Sequence, residues 1–422
     1  MADTTVPVTG GGLQTIDGVP LKKQLARATR QSKLRALMLV APLGIFVLVS
    51  FIYPIVLTLT RSVHSPVFGA AFHRTAEALQ SWDGKDLPSE PVWEAFVADM
   101  KEARANRTIG KAATRFNYDV PGTRSLFTRT ARKIRKVKEG PYKEAVLEIN
   151  KKWGDPQLWG YIKQNTAPYT AGFYLNALDR KYDYTGKIER QPEVRQIYVP
   201  LFWRTLLLSS LVMASCIILG FPVAYLLAHL PLRISNLLMI LVLLPFWTSL
   251  LVRTTSWIAL LQTQGVINDF LVWVGIISDQ QRLQMMFNAT GTVIAMTHIL
   301  LPFMILPLYS VMKTIPPSYV RAARSLGATQ WTAFWRVYVP QTLPGVGAGS
   351  ILVFILAIGY YITPALVGGQ SGQLISNLIA YHMKRSLNWG LAAALSTILL
   401  FGVLGLYWLY NRLVGVDNMK LG

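Results

Sequence analysis

The sequence predicts an all-α membrane protein with six transmembrane helices and a mainly helical block inserted between the first and second. Three observations lead there. Hydrophobic residues make up 52% of the 422 and charged residues 15%, more apolar than a soluble chain of this length. The apolar residues gather into six runs, each longer than the ~20 residues that cross a hydrocarbon core of about 30 Å. Those runs hold almost no ionised residue, a restriction that lipid imposes and a soluble core does not.

Residues 1–35 are expected to form a cytoplasmic N-terminal tail, unstructured over its Gly-, Thr- and Val-rich first 20 positions. The first transmembrane helix is placed at 36–61, around the run Ala36 to Leu59. That run exceeds the ~7–15 residues of a signal-peptide core and lacks a small-x-small exit, so it reads as a retained anchor. Lys22, Lys23, Arg27, Arg30, Lys33 and Arg35 precede it with no acid among them. Basic flanks stay in the cytoplasm, which sets the N-terminus there.

Residues 62–200 follow as a polar block, expected to face the periplasm. Trp93, Phe96, Phe116, Phe127, Tyr142, Trp153, Trp159, Tyr169, Phe173 and Tyr174 supply a core for it. Ser89-Glu90-Pro91 reads as a helix start, with serine at the N-cap and proline in the first turn. Glu144 to Trp153 is spaced as one helical face, stopped by Gly154. The block is basic, but long loops cross largely regardless of charge.

The remaining runs, Thr205 to Leu230, Leu237 to Leu261, Thr292 to Val311, Val346 to Val367 and Leu391 to Val414, make a transmembrane core at 201–415. A short tail, 416–422, returns to the cytoplasm. Arg233 lies between the second and third runs; Lys313, Arg321, Arg324 and Arg336 lie between the fourth and fifth. Both loops fall on the cytoplasmic side by span count and by charge alike. Leu374 to Tyr381 is apolar but too short to span, and fits an interfacial or re-entrant helix.

Charge and cysteine usage narrow the function. The net charge of +21 belongs mostly beside the spans, so nucleic acid is not an expected partner and membrane lipid is. Cys216 is the only cysteine, which excludes an intrachain disulfide. The five histidines show no metal-ligand spacing, and no metal is expected. His298, inside a run, reads as a packed, hydrogen-bonded residue. Gly110-Lys111-Ala112 lacks the earlier glycine and the hydroxyl of a phosphate loop, so the chain is not expected to hydrolyse ATP.

The loop at 313–345 carries the sharpest pattern. Arg321-Ala322-Ala323, Gly327 and Val337-Tyr338-Val339-Pro340 are similar in spacing to the Glu-Ala-Ala loop of binding-protein-dependent ABC importer permeases. Pro316-Pro317-Ser318 can start a short helix through Ala322 and Ala323, which Gly327 breaks. A second short helix would carry Trp331, Phe334 and Val337 on one face before Pro340 and Pro344. Gly220 to Tyr225, Leu301 to Tyr309, Gly359 to Gly369, Ile375 to Ile379 and Asn388 to Gly390 resemble segments of the spermidine/putrescine subgroup. Three features depart from it. Arg321 replaces the acid, the 62–200 block is unusually long, and no acid stands near Tyr360, where many relatives carry one.

The resemblance implies a type I importer permease fold in a bacterial inner membrane, with both termini cytoplasmic. It implies four further things: a second homologous permease subunit, an ABC ATPase dimer holding ATP and Mg, a periplasmic substrate-binding protein, and no cofactor on this chain. Arg321, Ala322, Ala323, Gly327, Val337 and Pro340 would couple to the ATPase. Trp247, Trp257, Tyr360, Tyr361 and Thr363 are the expected pathway set, their aromatic faces suited to ammonium groups of a polyamine-like solute by cation–π attraction. Two other readings compete. An ion-coupled secondary transporter would need ionisable groups near the membrane centre. A membrane-anchored scaffold would act through the inserted block.

Overall fold

The computed structural model of the chain describes residues 21–414. Of the tails expected at 1–35 and 416–422, residues 1–20 and 416–422 lie outside the described residues, and 21–35 belong to the helix Leu21–Val47 that runs into the first span. Among the described residues, five helices are long and apolar enough to cross a membrane: Thr29–Arg61, Tyr198–His229, Ala289–Thr314, Gln330–Gly359 and Trp389–Arg412. A sixth crossing is made if the bent pair Leu232–Trp247 and Leu250–Trp273 counts as one span. The membrane-spanning part is therefore built from helices, as expected.

The first span, considered by itself, carries a π-turn at Leu48–Ile52 just before Pro54. The fifth repeats the device, with a π-turn at Phe334–Tyr338 just before Pro340. A proline lacks the N–H for the carbonyl four residues back and its ring crowds that carbonyl. The wider turn relieves both effects while the helix continues.

The second, fourth and fifth spans pack against one another. Their shared core includes Leu208, Val212, Met304, Ile305, Leu308 and Val353. Backbones approach closely there: a Cβ at Gly349 would lie 2.6 Å from Met304 Sδ. Small residues permit such contact between membrane helices, where packing rather than the hydrophobic effect drives association.

Two runs read as single spans are broken. The third bends by 99°, with Thr248 and Ser249 extended between its helices. Pro245 and the hydroxyl-bearing pair after Trp247 stop the first helix, and Thr248 donates back to the Pro245 carbonyl (2.9 Å). The run Val346 to Val367 is likewise not one helix. It ends at Gly359, and a separate helix, Ile362–Val367, follows two non-helical tyrosines. The freed carbonyls of Tyr360 and Tyr361 accept from Ser376 Oγ (2.6 Å) and Asn377 Nδ2 (2.7 Å). Both donors sit at the start of Ile375–Lys384, the short helix expected from Leu374 to Tyr381. Its buried N-terminal residue, Ile375, donates its N–H to Thr205 Oγ1 of the second span (2.8 Å).

The inserted block is mainly helical but divides in two. Residues 66–167 form a globule around Phe68, Phe72, Trp93, Phe96, Phe116, Phe127, Trp153 and Trp159, all fully buried. Its rings meet in stacked and edge-on pairs, such as Trp93 and Trp159 at 4.5 Å, geometries that add to area burial. Chain enters and leaves the globule through one neck. Ser65 N–H donates to Pro168 and Thr170 N–H to Val63, both at 2.8 Å, around an antiparallel bridge of His64 and Tyr169.

Residues 168–200 form a collar that belongs with the membrane core. Phe173 packs with Tyr198, Leu201, Ile375 and Leu391, and the globule reaches it through Arg115, whose guanidinium lies 4.7 Å from its ring centroid. A small hairpin, Arg180–Tyr182 paired with Ile188–Arg190, follows Asp179. The Asp179 carboxylate accepts from the N–H groups of Ile197 (3.1 Å), Tyr198 (3.0 Å) and Val199 (2.8 Å). It thereby caps the second span from eighteen residues upstream, satisfying donors that a helix start leaves orphaned.

Several sequence expectations need correction here. Tyr169 is not core but 68% exposed, because it edges the neck. Tyr174 instead hydrogen-bonds Ser62 (2.7 Å). Ser89 occupies the N-cap without a side-chain bond; Glu90 turns away to accept from the backbone N–H groups of Tyr142 and Lys143. The helix expected over Glu144 to Trp153 stops at Ile149, where Asn150 turns extended and caps a 3₁₀ turn, Lys151–Gly154.

Candidate functional site

The loop between the fourth and fifth spans is built from local rules. Pro316 is extended and Pro317 opens the helix Pro317–Ser325, where a missing N–H costs nothing. The helix ends in a Schellman turn. Ala328 N–H donates to the Ala323 carbonyl (3.1 Å) and Gly327 N–H to Arg324 (3.0 Å), the two bonds that define that motif. Gly327 has a φ of +91°, a left-handed value that glycine adopts without penalty. Thr329 then caps the next helix by accepting from Thr332 N–H (3.2 Å).

The second short helix is not a separate element. Gln330–Gly359 is continuous with the fifth span through the π-turn. The extra residue of that turn alters which side chains face inward. Tyr338, not Val337, is buried, and Phe334 and Tyr338 form the inward face, while Trp331 is 71% exposed beside Phe334. Phe334 and Tyr338 meet Tyr225 of the second span edge-on at 5.6 and 5.3 Å. Pro340 is exposed, and its contribution is the π-turn before it.

Arg321, Ala322, Arg324 and Leu326 are exposed, and Ala323 partly so. Arg321 and Arg324 rim an open groove of about 900 Å³ floored by Phe221, Tyr225, Phe334 and Tyr338. The loop is therefore one rigid projection, seated by aromatic contacts on two spans. Its outer face is basic and small-residue rich.

The second candidate region lies at the two broken spans. Trp257 Nε1 donates to His298 Nδ1 of the fourth span (3.1 Å), with the rings edge-on at 5.2 Å. Arg253, one turn past the break in the third span, is within electrostatic reach of both His298 and Tyr360. The Tyr360 hydroxyl faces the Thr363 hydroxyl without a well-formed hydrogen bond. Trp257, Tyr360 and Thr363 of the expected pathway set thus share one region.

The other two pathway residues lie elsewhere. Trp247 ends the first half of the broken span with 73% of its surface exposed. Tyr361 is taken up by Lys384, whose Nζ donates to its hydroxyl (3.2 Å) and lies 5.1 Å from its ring centroid. Arg253 was absent from the expected set. A lone charge in an apolar run is the signal that marks it.

A model of the family described as "Binding-protein-dependent transport system inner membrane component" matches residues 216–414. The spermidine/putrescine transport system permease protein PotB of Salmonella typhimurium (strain SL1344) is 39% identical over 223 residues, covering 51% of this chain and 77% of that protein. The chain belongs to this permease family. PotB of Escherichia coli (strain K12) is 38% identical, covering 51% of this chain and 80% of the relative. Among solved structures, a bacterial alginate ABC transporter in complex with an alginate pentasaccharide-bound periplasmic protein is similar over 53% of this chain and 80% of that one. The identity there is 18% and the TM-score 0.42.

This permease is a multi-pass inner-membrane component of a binding-protein-dependent importer. The family match begins at residue 216, so it takes in the loop and both broken spans but not the globule or the collar. The matched segment includes Arg321, Ala322, Ala323, Gly327, Val337 and Pro340, the residues expected to couple to an ATPase.

Proposed function

We propose that this permease forms half of the translocation pathway of an ATP-driven importer for a small, polyamine-like solute. A second, homologous permease completes the pathway. A separate ABC ATPase dimer, holding ATP and Mg, docks on the 313–345 loop. A periplasmic binding protein delivers the solute on the opposite face. In this reading both termini are cytoplasmic and the 62–200 block is periplasmic, with its globule placed to meet the binding protein or the second permease.

The observation that carries the reading is the loop itself. A Schellman turn at Gly327 holds Arg321, Ala322 and Ala323 outward, while Phe334 and Tyr338 lock the following helix to the second span. A partner that moves this projection moves two spans with it. Coupling needs such an element, whose arrangements differ in contact energy. The amine-bearing solute is supported by the relatives at 38–39% identity and by the grouped aromatic faces of Trp257 and Tyr360.

The test is Gly327→Val in the reconstituted complex. A β-branched residue resists positive φ, so solute-stimulated ATP hydrolysis should fall sharply while membrane insertion is retained. Undiminished stimulation in this variant would remove the loop from the coupling role.

A further inference from the structure

The inserted globule carries a run of positive charge that no acid of the described residues answers. From Arg129 to Lys138 six of ten residues are basic and none is acidic; the run stops at Glu139. The six are Arg129, Arg132, Lys133, Arg135, Lys136 and Lys138, and all are exposed. Among the described residues none of them has an acid within ion-pair distance. Arg129 precedes Arg132 and Lys133 by three and four positions in the helix Thr123–Lys133. Like charges at those spacings destabilise a helix. Two more cations add to the same end. Lys101 Nζ donates to the Val137 carbonyl (2.7 Å) and Arg104 to the Ala131 carbonyl (2.6 Å). Their neighbour Glu102 is taken by Arg74 (2.8 Å).

Packing fixes which way the run points. Leu126, Phe127, Thr130, Ala131 and Ile134 are buried, and Thr130 Oγ1 accepts from Trp153 Nε1 (2.9 Å). That leaves the cations on the outer face. The helix also carries them away from the membrane core. Tyr118, near the end of the helix Ile109–Asp119, donates to the Ser386 carbonyl. The chain turns at Val120, Pro121 and Gly122, and Thr123–Lys133 runs back along the preceding helix with Phe127 against Phe116 (5.1 Å). At 1.5 Å per residue its last turn lies about 15 Å along the helix from that tie.

The chemistry of this face narrows the partner. From 68 to 167 no large apolar side chain is exposed among the described residues. A stable protein interface has an apolar core, and a helix lying in a membrane surface has an apolar face. Neither is present here. Charge alone speeds encounter more than it prolongs residence. A soluble protein that must arrive and depart in every transport cycle is a partner of that kind.

We propose that the exposed face from Arg129 to Lys138 is the docking surface for an acidic face of the periplasmic binding protein. This rests on the reading of the chain as an importer permease served by such a protein, and it names the residues of the globule that capture it. Because the face acts on capture, it sets how much binding protein is needed and leaves the rate at saturation alone.

The experiment titrates the complete importer, in phosphatidylcholine nanodiscs, with its putrescine-loaded binding protein while ATP hydrolysis is followed. Arg129→Glu, Arg132→Glu and Arg135→Glu are combined in one variant. At low salt the variant should need roughly tenfold more binding protein for half-saturation, with an unchanged maximal rate. Added salt should raise the half-saturation of the parent, as screening predicts, and move that of the variant far less. The matching triple change to Gln should fall between the two, and it carries the test if the Glu variant melts well below the parent. Equal half-saturation in parent and variants at low salt overturns the proposal. A lower maximal rate at unchanged half-saturation also overturns it, since the face would then serve the fold or the coupling. If half-saturation is unchanged but only the parent nanodiscs sediment with phosphatidylglycerol vesicles, the face binds anionic lipid and the proposal fails while the importer reading stands. If the binding protein stimulates neither parent nor variants, the importer reading falls and the proposal falls with it.

Discussion

Gly327 stands in open space. A Cβ there would meet nothing within 4 Å, yet its φ is +91°. The demand at this position is therefore on the backbone alone, and substitutions should rank by their tolerance of the left-handed region. Gly327→Asn should keep most of the solute-stimulated ATPase activity, since asparagine visits that region readily. Gly327→Val should lose it, at a strain cost of about 1–3 kcal/mol. Arg321 calls for a different measurement. It is exposed at the rim of the aromatic groove, at the position where the resemblance implies an acid. Arg321→Glu should weaken capture of the ATPase at low salt, where a like charge meets the carboxylate expected on the partner. Capture equal to the parent would show that no such carboxylate faces it. Both residues were legible in the sequence because spacing reports them directly. Arg253 was not, because an apolar average over twenty residues conceals one charge. That charge becomes informative only when folding shows it has no counter-ion.

At the level of elements, the sequence located helices well and their interruptions poorly. Hydropathy cannot distinguish a straight span from one bent by 99°, since both have the same composition. Nor does it register a π-turn, which placed Tyr338 where Val337 was expected. The prolines at 54, 245 and 340 held that information in a form that periodicity does not read. The cap made by Asp179 was equally invisible, because a hairpin must form before the carboxylate reaches the second span. Asp179→Ala should destabilise the protein by about 0.5–2 kcal/mol, the usual cost of a lost cap. Asp179→Asn should recover part of it, as read by thermal unfolding in detergent. The short helix Ile375–Lys384 adds a dependence on pH. His382 there bonds Tyr198 (3.0 Å) and Ser386 (2.8 Å) through its two ring nitrogens, and burial pushes its pKa down to about 4. An unfolded histidine titrates near ~6.5, so between these values the unfolded state binds the extra proton. Stability from this group is thus full above pH ~6.5 and is lost as pH falls toward about 4. The melting temperature should drop between pH 7.5 and 5, and less so in His382→Gln.

For the whole molecule, the polar block was expected as one unit from 62 to 200. The structure makes 66–167 a globule behind a neck and gives 168–200 to the membrane core. Composition could not draw that line, because Phe173 and Phe127 look alike until their neighbours are known. The division changes which deletion is informative. Replacing 66–167 by a short Gly/Ser turn leaves the neck, Phe173 and the Asp179 cap in place. That variant loses the ties of Tyr118 to Ser386, Arg115 to Phe173 and Gln164 to Asp183, so it should insert but melt somewhat below the parent, and take up solute more slowly when binding protein is limiting. Kinetics equal to the parent across a titration of binding protein would leave the globule without a docking role. Two ties of the block also differ in how soon they can form. Asp179 and Tyr198 are 19 residues apart, whereas His64 and Tyr169 are 105 apart. By loop-closure entropy the shorter tie is easier to make by about 1.5 kcal/mol. It can also close while the second span is still being synthesised. The collar thus captures the start of that span early, and the globule closes its neck around an anchorage already made. A chain whose globule folds slowly, or fails to fold, still delivers a capped second span to the bundle.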